Sequence, residues 1–392
     1  MNLLSPTLLR NRDIKAAPVS TSELLFDLIY VFAVTQLSHF LLHNLSWMGF
    51  LQETVLWFAV WLVWQHTVWV TNWFDPDKRS IRLMLFCLMI VGLVMTSAIP
   101  EAYTERGVIF ALAYVAMLLG RPIFVLCILG KHPLRRNYHR ILAWALASAL
   151  FWILGALREA EWRLIWWAVA VACDYFPPLF RFRFPFLGHS DPSEEWTVDG
   201  HHLAERCQLF VIIAFGETIL MSGASLSALE TWAPTTIAAA LISFSGSLAM
   251  WWVYFDVSSE AGSRKIHKSD NPGWLGLKYH AVHVLLVGAL IVCAVGDELV
   301  VNEPGARVQA EGIFTIMGGP ALYLAANMIY KKIISSRFPK SHCLGIIMLS
   351  ALAALSGHMS MLTANALTCL VFFLVILWDF LASKNGPPEP PA

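Results

Sequence analysis

Charged residues are scarce in this chain. Asp, Glu, Lys and Arg together make up 14% of its 392 residues, whereas hydrophobic residues make up 57%. A soluble domain carries about 25% charged residues, because it must cover its surface for water. The composition therefore predicts that lipid surrounds most of the molecule. The 27 basic and 27 acidic residues balance, which excludes the strongly basic surface typical of nucleic-acid-binding proteins.

Several motifs of soluble enzymes and metalloproteins are also absent. The sequence has no CxxC pair, no glycine-rich phosphate loop and no Ser-His-Asp order of a hydrolase. Its seven cysteines are Cys87, Cys127, Cys173, Cys207, Cys293, Cys343 and Cys369. Because they are scattered, we interpret them as small buried hydrophobic residues. The polar first twenty residues predict no cleavable signal peptide.

Twelve apolar runs are long enough to cross a bilayer, which takes about 20 predominantly apolar residues. These runs are 22–43, 51–73, 81–99, 107–130, 138–157, 162–180, 203–222, 233–256, 278–298, 309–330, 342–358 and 361–381. We expect the sixth run to end early or to kink at Pro177-Pro178. The sequence thus predicts an all-α, polytopic membrane protein of about twelve transmembrane helices.

The basic residues predict how these helices are oriented. With the N-terminus in the cytoplasm, 21 of the 27 Lys and Arg residues fall in cytoplasmic segments. The other six are Arg106, Arg158, Arg163 and Arg307 on the opposite side, and Arg121 and Arg206 within helices. Cytoplasmic segments of membrane proteins are enriched in Lys and Arg. We therefore expect both chain ends in the cytoplasm.

Two short sequence echoes indicate an internal duplication. The segment that begins at Glu23 resembles the one that begins at Glu205, and the motif that ends at Asp75 resembles the one that ends at Asp256. Their offsets, 182 and 181 residues, agree. Because six helices separate the echoes, we expect two parallel six-helix repeats, as in some transporters. A duplication that only built a stable bundle would leave the same pattern. The expected repeats are 1–200 and 201–392.

Polar side chains within the apolar runs predict where function resides. An ionisable group at the bilayer centre costs roughly 2.5–3.5 kcal/mol, so it should face a partner or a cavity. The candidate residues of an ion or substrate pathway are Glu23, Asp27, Gln36, His39, Asp75, Glu205, Glu217, Asp256 and His283. The candidate counter-ions are Arg121 and Arg206.

Two interpretations of these acids stay open. They can pair with the arginines and lock the two halves together, or they can form an ion or substrate site. Glu217 has no cation nearby in the sequence, so it is the better candidate for a carboxyl group that takes up a proton.

Two histidine pairs have spacings compatible with a metal or haem site. His39 and His43 are four residues apart, and His280 and His283 are three apart, so each pair shares a helical face. Neither pair comes with a carboxylate in a recognised metal motif, and structural hydrogen bonding explains them better. We predict no metal, no cofactor and no catalytic residue.

Longer motifs give the chain a family resemblance. They are Glu23-Leu-Leu-Phe-Asp-Leu-Ile-Tyr-Val-Phe-Ala-Val-Thr-Gln-Leu-Ser-His39, Thr71-Asn-Trp-Phe-Asp-Pro-Asp77, the helix from Glu205 to Gly216-Glu217, Trp251-Trp-Val-Tyr-Phe-Asp256 and the segment from Tyr279 to His283. Through them the chain resembles the bacterial low temperature requirement protein A (LtrA) family. Positions that match the family's pattern are Glu23, Phe26, Asp27, Gln36, His39, Asp75, Glu205, Gly216, Glu217, Asp256 and His283, while Gln208 departs from it.

The resemblance implies a bacterial inner-membrane protein named for a cold-growth phenotype, without a settled activity.

Our preferred hypothesis is a transporter or channel for a small solute or ion, with proton coupling as an option, through the interface of the two repeats. An intramembrane enzyme would act on a lipid or isoprenoid-like substrate, with Glu23, Asp27, Glu205 and Glu217 as acid–base groups. A non-catalytic protein that supports growth at low temperature is the third hypothesis. The expected partners are the lipid bilayer and a small solute or ion, with no nucleic acid, and a homo-oligomer is compatible with the sequence.

Overall fold

The structure of the protein is a computed structural model. It describes residues 8–10, 18–191, 195, 198–256, 265–266, 269, 271–335 and 338–384. Within these residues the regular secondary structure is helical, and strand-like pairing is limited to isolated bridges. Several parts of the predicted charge distribution lie outside the described residues, namely Arg12, Lys15, Arg264, Lys268, Arg337 and the tail after Lys384.

Twelve long helices follow one another in the described residues. They are α1 (Thr21–His43), α2 (Trp47–Trp73), α3 (Arg79–Ser97), α4 (Gly107–Ile128), α5 (Leu134–Ala156), α6 (Ala160–Tyr175), α7 (Gly200–Ala228), α8 (Pro234–Phe255), α9 (Pro272–Asn302), α10 (Ala310–Ser335), α11 (Lys340–Leu355) and α12 (Met361–Lys384). Eleven of them, all except α6, are long and apolar enough to cross a membrane. The protein is therefore an all-α, multi-pass membrane protein, as its sequence predicted.

Local sequence explains where several of these helices begin and end. Ser20 caps α1: its hydroxyl accepts from the backbone N of Glu23, and the Glu23 carboxylate accepts from the backbone N of Ser20. Ser46 caps α2 by accepting from the backbone N of Gly49. Helix α6 ends at Tyr175, shortly before the Pro177-Pro178 pair. The predicted early end of the sixth run is therefore confirmed.

Large apolar side chains cover the outward faces of the helices. Leu28, Ile90, Leu112, Leu150 and Ile347 are each more than half exposed. A soluble protein rarely exposes this much contiguous apolar surface. Because lipid tails are as apolar as these side chains, the surface is suited to a bilayer.

The chain packs as two compact units. The first consists of Met1–Leu209 and Gly262–His280, and the second of Phe210–Ala261 and Ala281–Ala392. These units describe packing only, so the duplication into repeats 1–200 and 201–392 stays a prediction.

Six helices close a ring in the first unit. Helix α2 packs against α1 and α6, α3 packs against α1 and α4, and α5 packs against α4 and α6. Tryptophans fill much of the space between them: the rings of Trp61 and Trp64 are 4.7 Å apart, and those of Trp152 and Trp167 are 5.2 Å apart. Such aromatic contacts add stability beyond the burial of area.

In the second unit, α12 packs against α8 and α11, and α11 packs against α10. Gly345 of α11 allows a close approach, because a Cβ there would lie 2.8 Å from Leu324 of α10 and 2.9 Å from Val375 of α12. Helix α10 is interrupted at Phe314–Gly318, where the backbone forms a π-helix. π-Helical turns are rare and are often found at functional sites.

Candidate functional sites

A buried ion cluster holds the acids of α1. Glu23 is fully buried, and its Oε2 accepts from Arg10 Nη2 and from the backbone N of Ser20, both at 2.9 Å. Its Oε1 lies 3.0 Å from Arg206 Nη1 and 2.7 Å from His202 Nε2. Both oxygens of Glu23 are therefore engaged.

Asp27 lies one turn further along α1 and shares a cation with Glu23. Its Oδ1 lies 2.5 Å from Arg206 Nη2 and accepts from Trp64 Nε1 at 2.8 Å. With Arg10 on Glu23, the cluster has two guanidinium groups and two carboxylates, so its charges balance. A buried set of this kind is costly to disrupt, because removing one partner leaves an uncompensated charge. The contacts favour a structural role for these two acids.

His202 completes this cluster in a defined orientation. Asn72 exchanges two hydrogen bonds with the backbone of Asp199, and these fix the direction of its amide. Its Nδ2 therefore donates to His202 Nδ1 at 3.2 Å. His202 Nε2 lies 2.7 Å from Glu23 Oε1 and 3.1 Å from Arg10 Nη2. Because Nδ1 accepts, a neutral imidazole carries its hydrogen on Nε2 and donates it to Glu23. Arg10 Nη2 then donates to Glu23 Oε2 and not to the ring. Sequence reasoning did not select His202, although it lies one turn before Arg206.

The other predicted residues of the first unit lie apart from the cluster. Gln36 is half-buried and His39 is exposed, further along α1. Glu205 is half-buried and pairs only loosely with His201, at 3.8 Å. The predicted counter-ion Arg121 contacts no acid among the described residues; its Nη1 donates to a carbonyl and a hydroxyl of α2.

Asp75 shapes the turn after α2. Its Oδ1 accepts from the backbone N of Asp77 at 2.9 Å, and its Oδ2 lies 3.8 Å from Lys78 Nζ. Carboxylates commonly stabilise turns in this way. The echo at Asp256 follows the end of α8, where the residue is exposed.

Two further predicted residues are buried in the second unit. Glu217 of α7 is 2% exposed. His283 of α9 lies 2.7 Å through Nε2 from the hydroxyl of Tyr254, and its ring meets that of Tyr330 edge to face. Among the described residues, no group of three His, Cys, Asp or Glu side chains could hold a metal ion. His283 is thus held by aromatic neighbours.

A polar cavity lies at Asp297 in the second unit, and we call it the Asp297 cavity. Asp297 is near the C-terminal end of α9 and is 8% exposed. Ser243 of α8 and Asn365 of α12 lie beside it in the lining of the same cavity. Asn365 Nδ2 donates to the Ser243 hydroxyl at 2.9 Å, which leaves the hydroxyl hydrogen available to a neighbouring acceptor.

One oxygen of this carboxylate faces a cavity. Asp297 Oδ2 is buried and has no hydrogen-bond partner among the described residues, and neither has the hydroxyl of Thr368. Both residues line a cavity of about 20 Å³. Roughly 10–15 Å³ of such space holds one water molecule. The cavity therefore accommodates a single particle of about that size.

The π-helix of α10 forms one wall of the Asp297 cavity. Thr315 and Ile316 of this segment line the cavity together with Gly296. A Cβ at Gly296 would lie 3.0 Å from the backbone C and O of Thr315, so glycine allows this close approach of α9 to the π-helix without a shift of either helix. The irregular backbone and the carboxylate thus meet at one place.

Sequence reasoning missed Asp297. The apolar run was assigned to 278–298, so Asp297 fell at its edge, whereas α9 extends to Asn302. One signal was present: Asp297 follows a long run with no charged side chain after Lys278. An acid so placed can be buried by neighbouring helices even where a hydropathy window ends.

Comparisons with known proteins agree with this architecture. The family model "Bacterial low temperature requirement A protein (LtrA)" matches residues 18–377. The chain belongs to the LtrA family. The resemblance indicated by its motifs is therefore confirmed. This LtrA-family protein is also 37% identical over 382 residues to "Uncharacterized protein RA0937" of Rhizobium meliloti (strain 1021), covering 96% of this chain and 92% of that protein. No solved structure matches it.

Proposed function

We propose that this LtrA-family protein is a transport protein that moves a small solute or ion across the bacterial inner membrane, with both chain ends in the cytoplasm. A cation, H⁺ or Na⁺, bound at Asp297 drives the movement. The observation that carries the proposal is the buried Asp297 carboxylate, whose Oδ2 has no hydrogen-bond partner among the described residues and lies at a water-sized cavity.

The ligand chemistry of the Asp297 cavity fits a small cation. A buried carboxylate without a cationic partner is costly, and among the described residues no Lys, Arg or His pairs with Asp297. A proton on Oδ2, or a Na⁺ ion beside it, relieves this cost. Ser243, Thr368 and the Asn365 amide supply further oxygen atoms, which hard cations prefer.

The neighbouring π-helix supports a transport role. In transporters, cation sites often combine a carboxylate with irregular helical backbone, and the wall at Thr315 has this character. Intramembrane acids mark ion pathways and proton relays in many membrane proteins. Cys293 and Cys369 are the other ionisable groups that line the cavity.

The alternative of a lipid-modifying enzyme receives less support. That hypothesis gives acid–base roles to Glu23 and Asp27, yet both carboxylates are held by Arg206. A general acid or base must be within reach of the proton that it transfers. Both oxygens of Glu23 and Oδ1 of Asp27 are engaged in the ion cluster, which leaves Asp27 Oδ2 as the one oxygen of these two acids without a hydrogen-bond partner among the described residues.

The test is cation flux in proteoliposomes. We would impose a pH gradient or a Na⁺ gradient and follow H⁺ with an internal dye and Na⁺ with a radioactive tracer. Wild type is expected to exceed empty vesicles, and Asp297→Asn is expected to lower the flux at least about tenfold. Glu303→Gln is the matched control, because Glu303 is exposed just beyond the same helix and should keep the flux.

The flux results show whether Asp297 or Glu217 is the coupling site. No wild-type flux of either cation would contradict conduction of H⁺ and Na⁺ by the protein alone and would leave only a carrier that needs its solute. Equal flux in wild type and Asp297→Asn would remove Asp297 from the pathway. Loss in Glu217→Gln with full flux in Asp297→Asn would instead move the coupling site to Glu217.

A further inference from the structure

A second cavity lies in the first unit around Arg121, and we call it the Arg121 cavity. It has a volume of about 60 Å³. Its lining comes from α2, α4, α5, the segment after α6 and the start of α9, all within the first unit.

Arg121 is a buried cation that has no acidic partner among the described residues. It is 2% exposed, and its Nη1 donates to Val63 O at 2.7 Å and to Thr67 Oγ1 at 2.8 Å. These bonds fix the guanidinium but do not neutralise it. Its Nη2 has no hydrogen-bond partner among the described residues. A buried, unneutralised cation is unfavourable until an anion joins it.

Two other polar side chains lie with Arg121 at the buried end of the cavity, which we call its floor. Asn137 is 1% exposed, and its Oδ1 has no hydrogen-bond partner in the described part of the chain. Gln65 is also buried and lines the cavity. The ionisable groups that interact electrostatically with Arg121 are His66 and the phenols of Tyr30, Tyr114 and Tyr138. No carboxylate of the described residues forms an ion pair with it.

The rim of the Arg121 cavity differs from its floor. The partly exposed lining residues are His66, Trp69, Ile141, Pro178, Phe182 and Leu277. They are apolar or aromatic, whereas Arg121, Asn137 and Gln65 lie buried at the floor. A pocket of apolar walls with a few convergent polar groups is typical of small-molecule sites.

We infer that the Arg121 cavity binds an amphipathic anion. Its carboxylate or phosphate head lies on Arg121 at the floor, because a guanidinium pairs best with such oxyanions. Its apolar or aromatic body packs on Trp69 and Phe182 at the rim. A lipid headgroup and a free aromatic acid share this chemistry.

Equilibrium dialysis with benzoate tests this inference. Full-length protein in phosphatidylcholine nanodiscs is compared with empty nanodiscs, and benzamide serves as the uncharged probe of the same shape. Wild type is expected to bind benzoate at least about tenfold more tightly than benzamide, since a hydrogen bond to a charged group is worth this much or more. Nanodiscs that contain phosphatidylglycerol identify the source: competition with benzoate indicates a lipid headgroup, and its absence a free acid.

Variants assign the binding to the cavity. Arg121→Gln is expected to abolish the preference for benzoate over benzamide. Arg136→Gln, which removes an exposed charge near the start of α5, is the matched control and should keep it. Phe182→Ala alters the rim without touching the bonds of Arg121, so it should weaken both probes even if Arg121→Gln does not fold.

Three results would overturn the inference. They are equal binding of benzoate and benzamide to wild type, unchanged preference in folded Arg121→Gln, and unchanged binding of both probes in Phe182→Ala.

Discussion

At the residue scale, three sets of buried charged groups differ in whether they have a counter-ion. Glu23 and Asp27 are matched by Arg10 and Arg206, and the charges of this set balance. By contrast, neither Asp297 nor Arg121 has an opposite charge among the described residues. A structural acid needs its counter-ion permanently, whereas a functional group can obtain one from its ligand. This difference separates the ion cluster from the two cavities.

The ion cluster makes Asp27→Asn a decisive substitution. We expect it to lower the free energy of unfolding by about 3 kcal/mol, because Arg206 keeps only one of its two buried carboxylates. Unfolding in detergent, followed by tryptophan fluorescence, measures this. Asp77→Asn is the control: its pair with Arg82 is exposed, and such pairs contribute little.

A different outcome would favour the other interpretation of this acid. If Asp27→Asn kept full stability and removed cation flux, Asp27 would belong to the transport pathway. The structural role would then be contradicted, and with it the distinction between matched and unmatched charges.

The sequence predicted part of this residue pattern. Arg206 is a predicted counter-ion of the buried acids, and it pairs with Glu23 and Asp27. Arg121 was expected there as well, yet its side chain bonds to α2. Depth along a helix can be read from the sequence, but the direction of a side chain depends on which helices become neighbours.

At the element scale, the apolar runs predicted the helices closely. Eleven of the twelve runs correspond to helices long enough to span a membrane. Three features depend on packing and were not predicted: the extension of α9 to Asn302, the π-helix Phe314–Gly318 and the irregular segment after α6. Hydropathy reports the solvent of a segment and not the backbone geometry that its neighbours impose.

Gly296 makes the contact between α9 and the π-helix testable. A methyl group in Gly296→Ala would meet the Thr315 backbone at 3.0 Å, so one helix must shift beside Asp297. We expect cation flux to fall several-fold while the protein still folds. Gly223→Ala is the control, because nothing lies within 4 Å of a Cβ there. Unchanged flux in Gly296→Ala would show that the cavity tolerates this shift.

At the scale of the whole molecule, the number of membrane crossings depends on whether α6 spans the bilayer. Its 16 residues span about 24 Å, less than the roughly 30 Å of a bilayer core. The chain after α6 continues along α5, where Trp144 donates to Arg183 O and Arg140 to Leu187 O. Non-helical backbone is tolerated at membrane depth where protein surrounds it. We infer that α6 and this segment complete one crossing together.

Reporter fusions after Lys131, Glu159 and His189 test this inference. With twelve crossings, fusions after Lys131 and His189 and at the C-terminus report the cytoplasm, and the fusion after Glu159 reports the opposite side. The first two positions flank α5, a helix of 23 residues, and act as internal controls.

If α6 does not cross, the fusion after His189 reports the same side as Glu159, and the C-terminus moves there too. That result would also contradict the parallel repeats. Two halves of equal orientation require an even number of helices in the first half, and without α6 that number is five.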